Sequence, residues 1–121
     1  MLIYEVNLTV DGDIAPRYST WLREHIREIL RIDGFEAAAW YVRSDDAETI
    51  PDGREVEDPR EWTIHYQVRD ADALQAYFDE HAERFRREGT DEFEGHFEAD
   101  RRILEQQRIF HAQRTDNTKP M

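Results

Sequence analysis

Two segments of this chain alternate side chain by side chain, and a period of two leaves few architectures open. Leu2, Tyr4, Val6, Leu8 and Val10 interleave with Ile3, Glu5, Asn7 and Thr9, while Trp62, Ile64, Tyr66 and Val68 interleave with Thr63, His65, Gln67 and Arg69. Such alternation marks a strand with one buried face and one open face. Each segment therefore commits its apolar set to one layer and its polar set to the other side.

Elsewhere the apolar period lengthens to that of an amphipathic helix. Ile14, Tyr18, Leu22, Ile26, Ile29 and Leu30 predict a helix over about residues 13 to 32. Asp11-Gly12-Asp13 offers its turn and N-cap, Pro16 is tolerated in the first turn, and Gly34 can close it in a left-handed conformation. Leu74, Tyr77, Phe78, His81, Ala82 and Phe85 predict a second helix, capped by Asp70 or Asp72 and ending near Gly89. Phe35 to Arg43, with Trp40, Tyr41 and Val42, is too short for another long helix and reads as a strand. Asp91 to His96 is a short turn or helical piece, and a last strand falls within Phe97 to Phe110.

The order is strand, helix, strand, strand, helix, strand, and its halves are alike: Trp21-Leu-Arg-Glu-His25 mirrors Tyr77-Phe-Asp-Glu-His81. A repeated βαβ unit with right-handed crossovers gives an α+β, ferredoxin-like βαββαβ fold. The expectation is a four-stranded antiparallel sheet with two helices on one face and strands one and three at the centre. Residues 1–111 are expected to form this one domain, and 112–121, which lack periodicity, a flexible C-terminal tail. The acidic stretch 44–60, with its turn Pro51-Asp52-Gly53, is expected to be a mobile loop; its carboxylates lack EF-hand spacing and read as solvated.

Charge narrows the partners. A formal net charge of −12 without a Lys/Arg stripe repels phosphate backbones, so nucleic acid is not an expected partner. The absence of cysteine removes disulfides, thiolate metal sites and cysteine nucleophiles. With no apolar run long enough to cross a bilayer and no basic-then-apolar amino end, no membrane partner is expected and the default compartment is the cytoplasm.

Several stretches resemble a known family. They are the opening Ile3-Tyr-Glu-Val-Asn-Leu-Thr-Val10, the two helix motifs above, the strand His65-Tyr-Gln-Val68 and the closing series Phe93, Phe97, Ala99, Arg101, Ile103 and Leu104. Together they resemble an uncharacterised bacterial domain-of-unknown-function family, DUF4286-like, of the dimeric α/β-barrel, ferredoxin-like group. The likeness covers nearly the whole chain outside residues 45–60 and the tail. It implies a homodimer in which two sheets face each other, and it brings no catalytic residues with it.

Parity then selects the side chains on the open face: Glu5, Asn7, Thr9, Thr63, His65 and Gln67. A carboxylate beside an imidazole is the usual arrangement for positioning a general base. Arg102 or Arg101, on a last strand that should pair with the first, would balance Glu5. The expected ligand-binding set is thus Glu5, Asn7, His65, Gln67 and Arg102, and the plainer reading is a hydrogen-bonded network that fixes dimer register. His25 and His81 hold matching helical positions, but with no convergent third ligand they suggest side chains at the helix–sheet border, and no metal or other cofactor is expected.

The functional expectation is a homodimeric small-molecule-binding or interaction domain with a cavity between facing sheets. The alternative is a cofactor-independent or haem-dependent monooxygenase of the same architecture. Resemblance to the haem-degrading enzymes implies roles for Asn7, Trp62 and His81, yet Trp62 shares parity with Ile64 and Tyr66 whereas Asn7 lies on the other face. The sequence names no reaction and leaves turnover undecided.

Overall fold

The structure, a computed structural model, describes residues 1–44, 48 and 57–114. Most of the acidic stretch 44–60 and the last residues of the tail lie outside these described residues. Four strands, β1 (Leu2–Val10), β2 (Phe35–Val42), β3 (Arg60–Val68) and β4 (Phe97–Glu105), form one sheet in the order β2-β3-β1-β4. All neighbours are antiparallel, so β1 and β3 are the central pair, as their alternation predicts. Their register sets Glu5 opposite His65 and Asn7 opposite Thr63, which places these polar groups on one face.

Three helices, α1 (Ala15–Ile29), α2 (Ala71–Glu80) and α3 (Ala82–Phe93), cover the other face. There Tyr4, Leu8, Ile64, Tyr66 and Val68 are buried with Tyr18, Leu22, Ile29, Leu74, Tyr77, Phe85 and Phe93. Ring contacts tie the layers together: Tyr18 packs on Trp62 and Phe97, and Tyr4 on Tyr77 and Phe78, with centroids 5.3–6.4 Å apart. Full burial of one such side chain contributes roughly 1.5–3 kcal/mol, which makes this layer the main source of stability.

Three local features depart from the sequence expectations. The first helix is entered through a 3-10 turn at Gly12–Ile14, and neither Asp11 nor Asp13 caps α1; Asp11 instead donates its backbone N–H to the His96 carbonyl at 2.9 Å. Regular α1 ends at Ile29, and Leu30 to Gly34 descend through tight turns, with Gly34 at φ 92°. The predicted second helix is two helices. Asp70 caps the first by accepting the Ala73 N–H at 2.9 Å, and the break falls at His81, whose φ and ψ are −132° and −32°. Hydrogen bonding continues across the break, from His81 N–H to the Tyr77 carbonyl and from Phe85 N–H to the His81 carbonyl, so the axis bends without separating the segments. The bend lets Leu74 and Tyr77 on one side, and Phe85 and Phe93 on the other, reach the same core.

Candidate functional site

The open face is organised around one carboxylate. Glu5 is 4% exposed although no helix covers it. Its Oε1 accepts from Nε2 of His65 at 2.8 Å, and its Oε2 accepts from Nδ2 of Asn7 at 2.9 Å and from Nε of Arg102. Asn7 is held in turn: its Oδ1 accepts from Oγ1 of Thr63 at 2.6 Å, and its Nδ2 also reaches Oδ1 of Asp100 at 3.2 Å. The strands supply these positions in order, since Glu5 lies between His65 on β3 and Arg102 on β4, and Asn7 between Thr63 and Asp100.

Burial by itself would raise the Glu5 carboxyl, but hydrogen bonds from Asn7, Arg102 and His65, with the charge of Arg102, outweigh it and pull the pKa down to about 2. Glu5 is therefore ionised at neutral pH and is a poor proton donor. An ionised carboxylate only accepts, so Nε2 of His65 must carry the shared hydrogen. The imidazole is thereby fixed in orientation, and its Nδ1 makes no hydrogen bond among the described residues. Tyr41 stands edge-on to the same ring at 5.2 Å.

Of the expected set, Glu5, Asn7, His65 and Arg102 converge. Gln67 shares the face one pair further along, opposite Ile3, and its side chain makes no hydrogen bond among the described residues. Thr63 and Asp100 belong to the network as well. The choice between the two arginines is resolved by register: Arg102 is opposite Glu5, whereas Arg101 is opposite Val6 and so faces the helices.

That second arginine belongs to a feature sequence reasoning missed. Between sheet and helices lies a cavity of about 50 Å³, with Tyr18, Trp21, His25, Tyr66, Arg86 and Arg101 in its lining. His25 is stacked on Trp21 at 4.5 Å and edge-on to Phe85 at 5.3 Å, and its Nδ1 is buried without a hydrogen-bond partner among the described residues. Burial, aided by the charge of Arg101, lowers the His25 pKa to about 4, so the ring is neutral at physiological pH. Burial likewise raises the Tyr18, Tyr66 and Tyr77 hydroxyls, which stay protonated. The only signals for this site were the helical position of His25 and the parity of Arg101.

Asn7, Trp62 and His81 do not come together. Trp62 is buried on the helix side against Tyr18 and Trp40, Asn7 lies on the open face, and His81 sits at the helix break beside Tyr77 and Phe85. Exposed Asp11, Asp13 and His96 cluster at the end of β1, where Nδ1 of His96 and Oδ2 of Asp11 are 3.2 Å apart. No helix among the described residues is long and apolar enough to cross a membrane.

A four-stranded antiparallel sheet in this order, helices on one side and a polar cluster on the other, defines a ferredoxin-like α+β protein. Residues 1–107 match the profile of a domain of unknown function, DUF4286, and the chain belongs to that family. No curated protein sequence matches it significantly. Among solved structures it is similar to SnoaB, a cofactor-independent oxygenase from Streptomyces nogalater solved in a mutant form. The TM-score is 0.61 at 11% identity, covering 89% of this chain and 95% of that one. It is also similar to a candidate antibiotic-biosynthesis monooxygenase from Deinococcus radiodurans, with TM-score 0.65 at 11% identity over 93% and 99% of the two chains. A de novo designed protein, Foldit4, matches with TM-score 0.54 at 13% identity over 87% and 97%. At these identities the likeness shows the fold alone.

Proposed function

We propose that this domain is a homodimeric interaction domain in which two copies face each other through their open sheets, enclosing a space that admits a small, partly apolar molecule. The observation that carries this reading is the state of Glu5. On the face without helices, its carboxylate is already desolvated, its oxygens are engaged, and Arg102 balances its charge. Covering such a network costs little, whereas covering an unpaired carboxylate would cost several kcal/mol. Apolar side chains share the face: Ala37 and Ala39 by register, Ile3 and Leu104 opposite one another, and Tyr41, which is half exposed. Gln67 and Nδ1 of His65 are among the polar groups on this face available to bond a second copy or a molecule held between the sheets. Resemblance to the dimeric α/β-barrel group supports the same arrangement.

Native mass spectrometry and sedimentation equilibrium at micromolar concentration test it. The wild-type chain is expected to be dimeric, and Ala39→Glu, which sets a charge on the face opposite His65 without touching the core, is expected to weaken association at least tenfold, about 1.4 kcal/mol. A wild-type chain that stays monomeric throughout that range removes the proposal. A second reading, an oxygenase-type enzyme, is favoured by one geometric fact, the orientation of His65 by Glu5, which suits Nδ1 to accept a proton from a substrate. On that reading oxygen uptake with a substrate bearing an acidic O–H or C–H is present in the wild type and absent in His65→Phe.

A further inference from the structure

The helix-side cavity has three properties that do not belong to a plain core defect. First, it is too large to be a packing gap: a water molecule needs only about 10–15 Å³ by this kind of measure, and the cavity is about 50 Å³. Second, it is lined by a polar atom that bonds nothing among the described residues: Nδ1 of His25 is buried without a partner there, while the ring itself is fixed between Trp21 and Phe85. A buried nitrogen left unbonded is destabilising, and a bonding partner in the cavity would remove that penalty. Third, its lining is cationic in a chain where acidic residues outnumber Lys and Arg by 28 to 16. The Arg101 side chain makes no hydrogen bond or ion pair among the described residues. Among the described residues the Arg86 side chain bonds only the Tyr4 hydroxyl, at 3.2 Å.

The position of Arg101 follows from two facts. Its register opposite Val6 directs it to the helix side of β4, and its charge acts on His25, Tyr18, Tyr66 and Tyr77 together. Both Arg101 and Arg86 are exposed at the residue level, so they form the mouth, while the aromatic rings and His25 line the interior. An exposed cation at the rim, an apolar wall and one buried polar atom inside are the parts of a small-ligand site. The elements are rigid, since Arg101 is on a paired strand and His25 is within α1.

We infer that this cavity binds a short-chain carboxylic acid bearing a hydroxyl or carbonyl group, with its carboxylate at Arg101 and Arg86, its carbon chain against Tyr18 and Trp21, and its second oxygen at Nδ1 of His25. The size matches a chain of a few carbons. A cavity that holds benzene is about 150 Å³, well above this one, so an aromatic ring would have to displace the wall. Guanidinium groups suit the acid because their N–H donors match a carboxylate's two oxygens. This site lies on the opposite side of the sheet from Glu5 and does not depend on dimerisation.

NMR titration of the wild-type chain with 3-hydroxybutyrate tests the inference, reading the Trp21 indole N–H and the His25 ring signals. Saturable shifts are expected at millimolar acid. The neutral 3-hydroxybutyramide is expected to bind at least tenfold more weakly, and butyrate several-fold more weakly because it leaves Nδ1 of His25 unbonded. Arg101→Met keeps the stem of an exposed side chain and removes its charge, and it is expected to weaken 3-hydroxybutyrate at least tenfold while the melting temperature holds. Arg86→Met provides an independent lesion of the mouth, expected to weaken the acid several-fold. His25→Phe is expected to erase the preference for 3-hydroxybutyrate over butyrate. Absence of saturable shifts in the wild type overturns the site; equal binding of acid and amide, or unchanged affinity in Arg101→Met, overturns the carboxylate assignment.

Discussion

Replacing Gly34 by alanine is expected to cost about 3 kcal/mol of folding stability, about twice the loss from the same change at Gly95. Both glycines have positive φ, 92° and 85°, a region that costs an L-residue about 1–2 kcal/mol. They differ in surroundings. A Cβ on Gly34 would lie 2.3 Å from the Cβ of Ala73 on α2, whereas one on Gly95 would meet nothing within 4 Å. Overpacking of that kind adds about 1–3 kcal/mol, and neither group can give way easily, because Ala73 is fixed by the Asp70 cap and the Gly34 carbonyl accepts the Arg69 N–H at 2.8 Å. The turn after α1 and the start of α2 thus press together at one end of the sheet. Urea denaturation of the two variants under identical conditions reads the difference. Equal losses would mean that the contact is absorbed by relaxation, and that only the backbone conformation matters. For a domain whose net stability is of order 5–15 kcal/mol, the larger loss is a substantial fraction.

How much of this molecule its sequence discloses depends on whether the information is local. The central strands are legible because alternation in β1 and β3 leaves one face for Tyr4, Ile64 and Tyr66 and the other for Glu5, Asn7 and His65. The open-face cluster follows from that parity. In β4 the signal fails, since adjacent Arg101 and Arg102 are alike in chemistry and only the pairing with β1 decides which meets Glu5. The break at His81 is equally silent. No Pro or Gly stands there, and the apolar spacing runs through it; the bend answers to the core that both helices share. Trp21–His25 and Tyr77–His81 read as equivalent, yet His25 is within α1 and His81 is at a break. The helix-side cavity is a property of what the three helices and β1, β3 and β4 leave unfilled together, and no single segment records it. What the strand pattern could have offered was the parity of Arg101, a cation on the side that otherwise holds the core.

Lowering the pH through the acidic range is expected to remove about 2 kcal/mol of stability traceable to Glu5 alone. The folded carboxyl titrates at about 2 instead of its ordinary 4.5, despite the burial that opposes this, because Asn7, Arg102 and His65 all bond its ionised form. A group with a depressed folded pKa stabilises fully above its unfolded pKa, and the contribution is lost as pH falls from about 4.5 through about 2. Converting the whole shift gives roughly 3 kcal/mol, and the smaller figure allows for Arg102, which is 67% exposed and screened by water. Because 28 acidic residues share the sequence, the wild-type curve alone assigns nothing to Glu5. The informative quantity is the difference between wild type and Glu5→Gln at fixed protein concentration, measured by urea denaturation at several pH values. Glutamine keeps the size and one acceptor but has no charge for Arg102, so the gap is expected to be widest at neutral pH and to close toward pH about 2. A constant gap would instead point to packing. No gap at neutral pH would mean that Glu5, Asn7, His65 and Arg102 exchange their mutual bonds for water without loss, and the network would then hold neither register nor the imidazole.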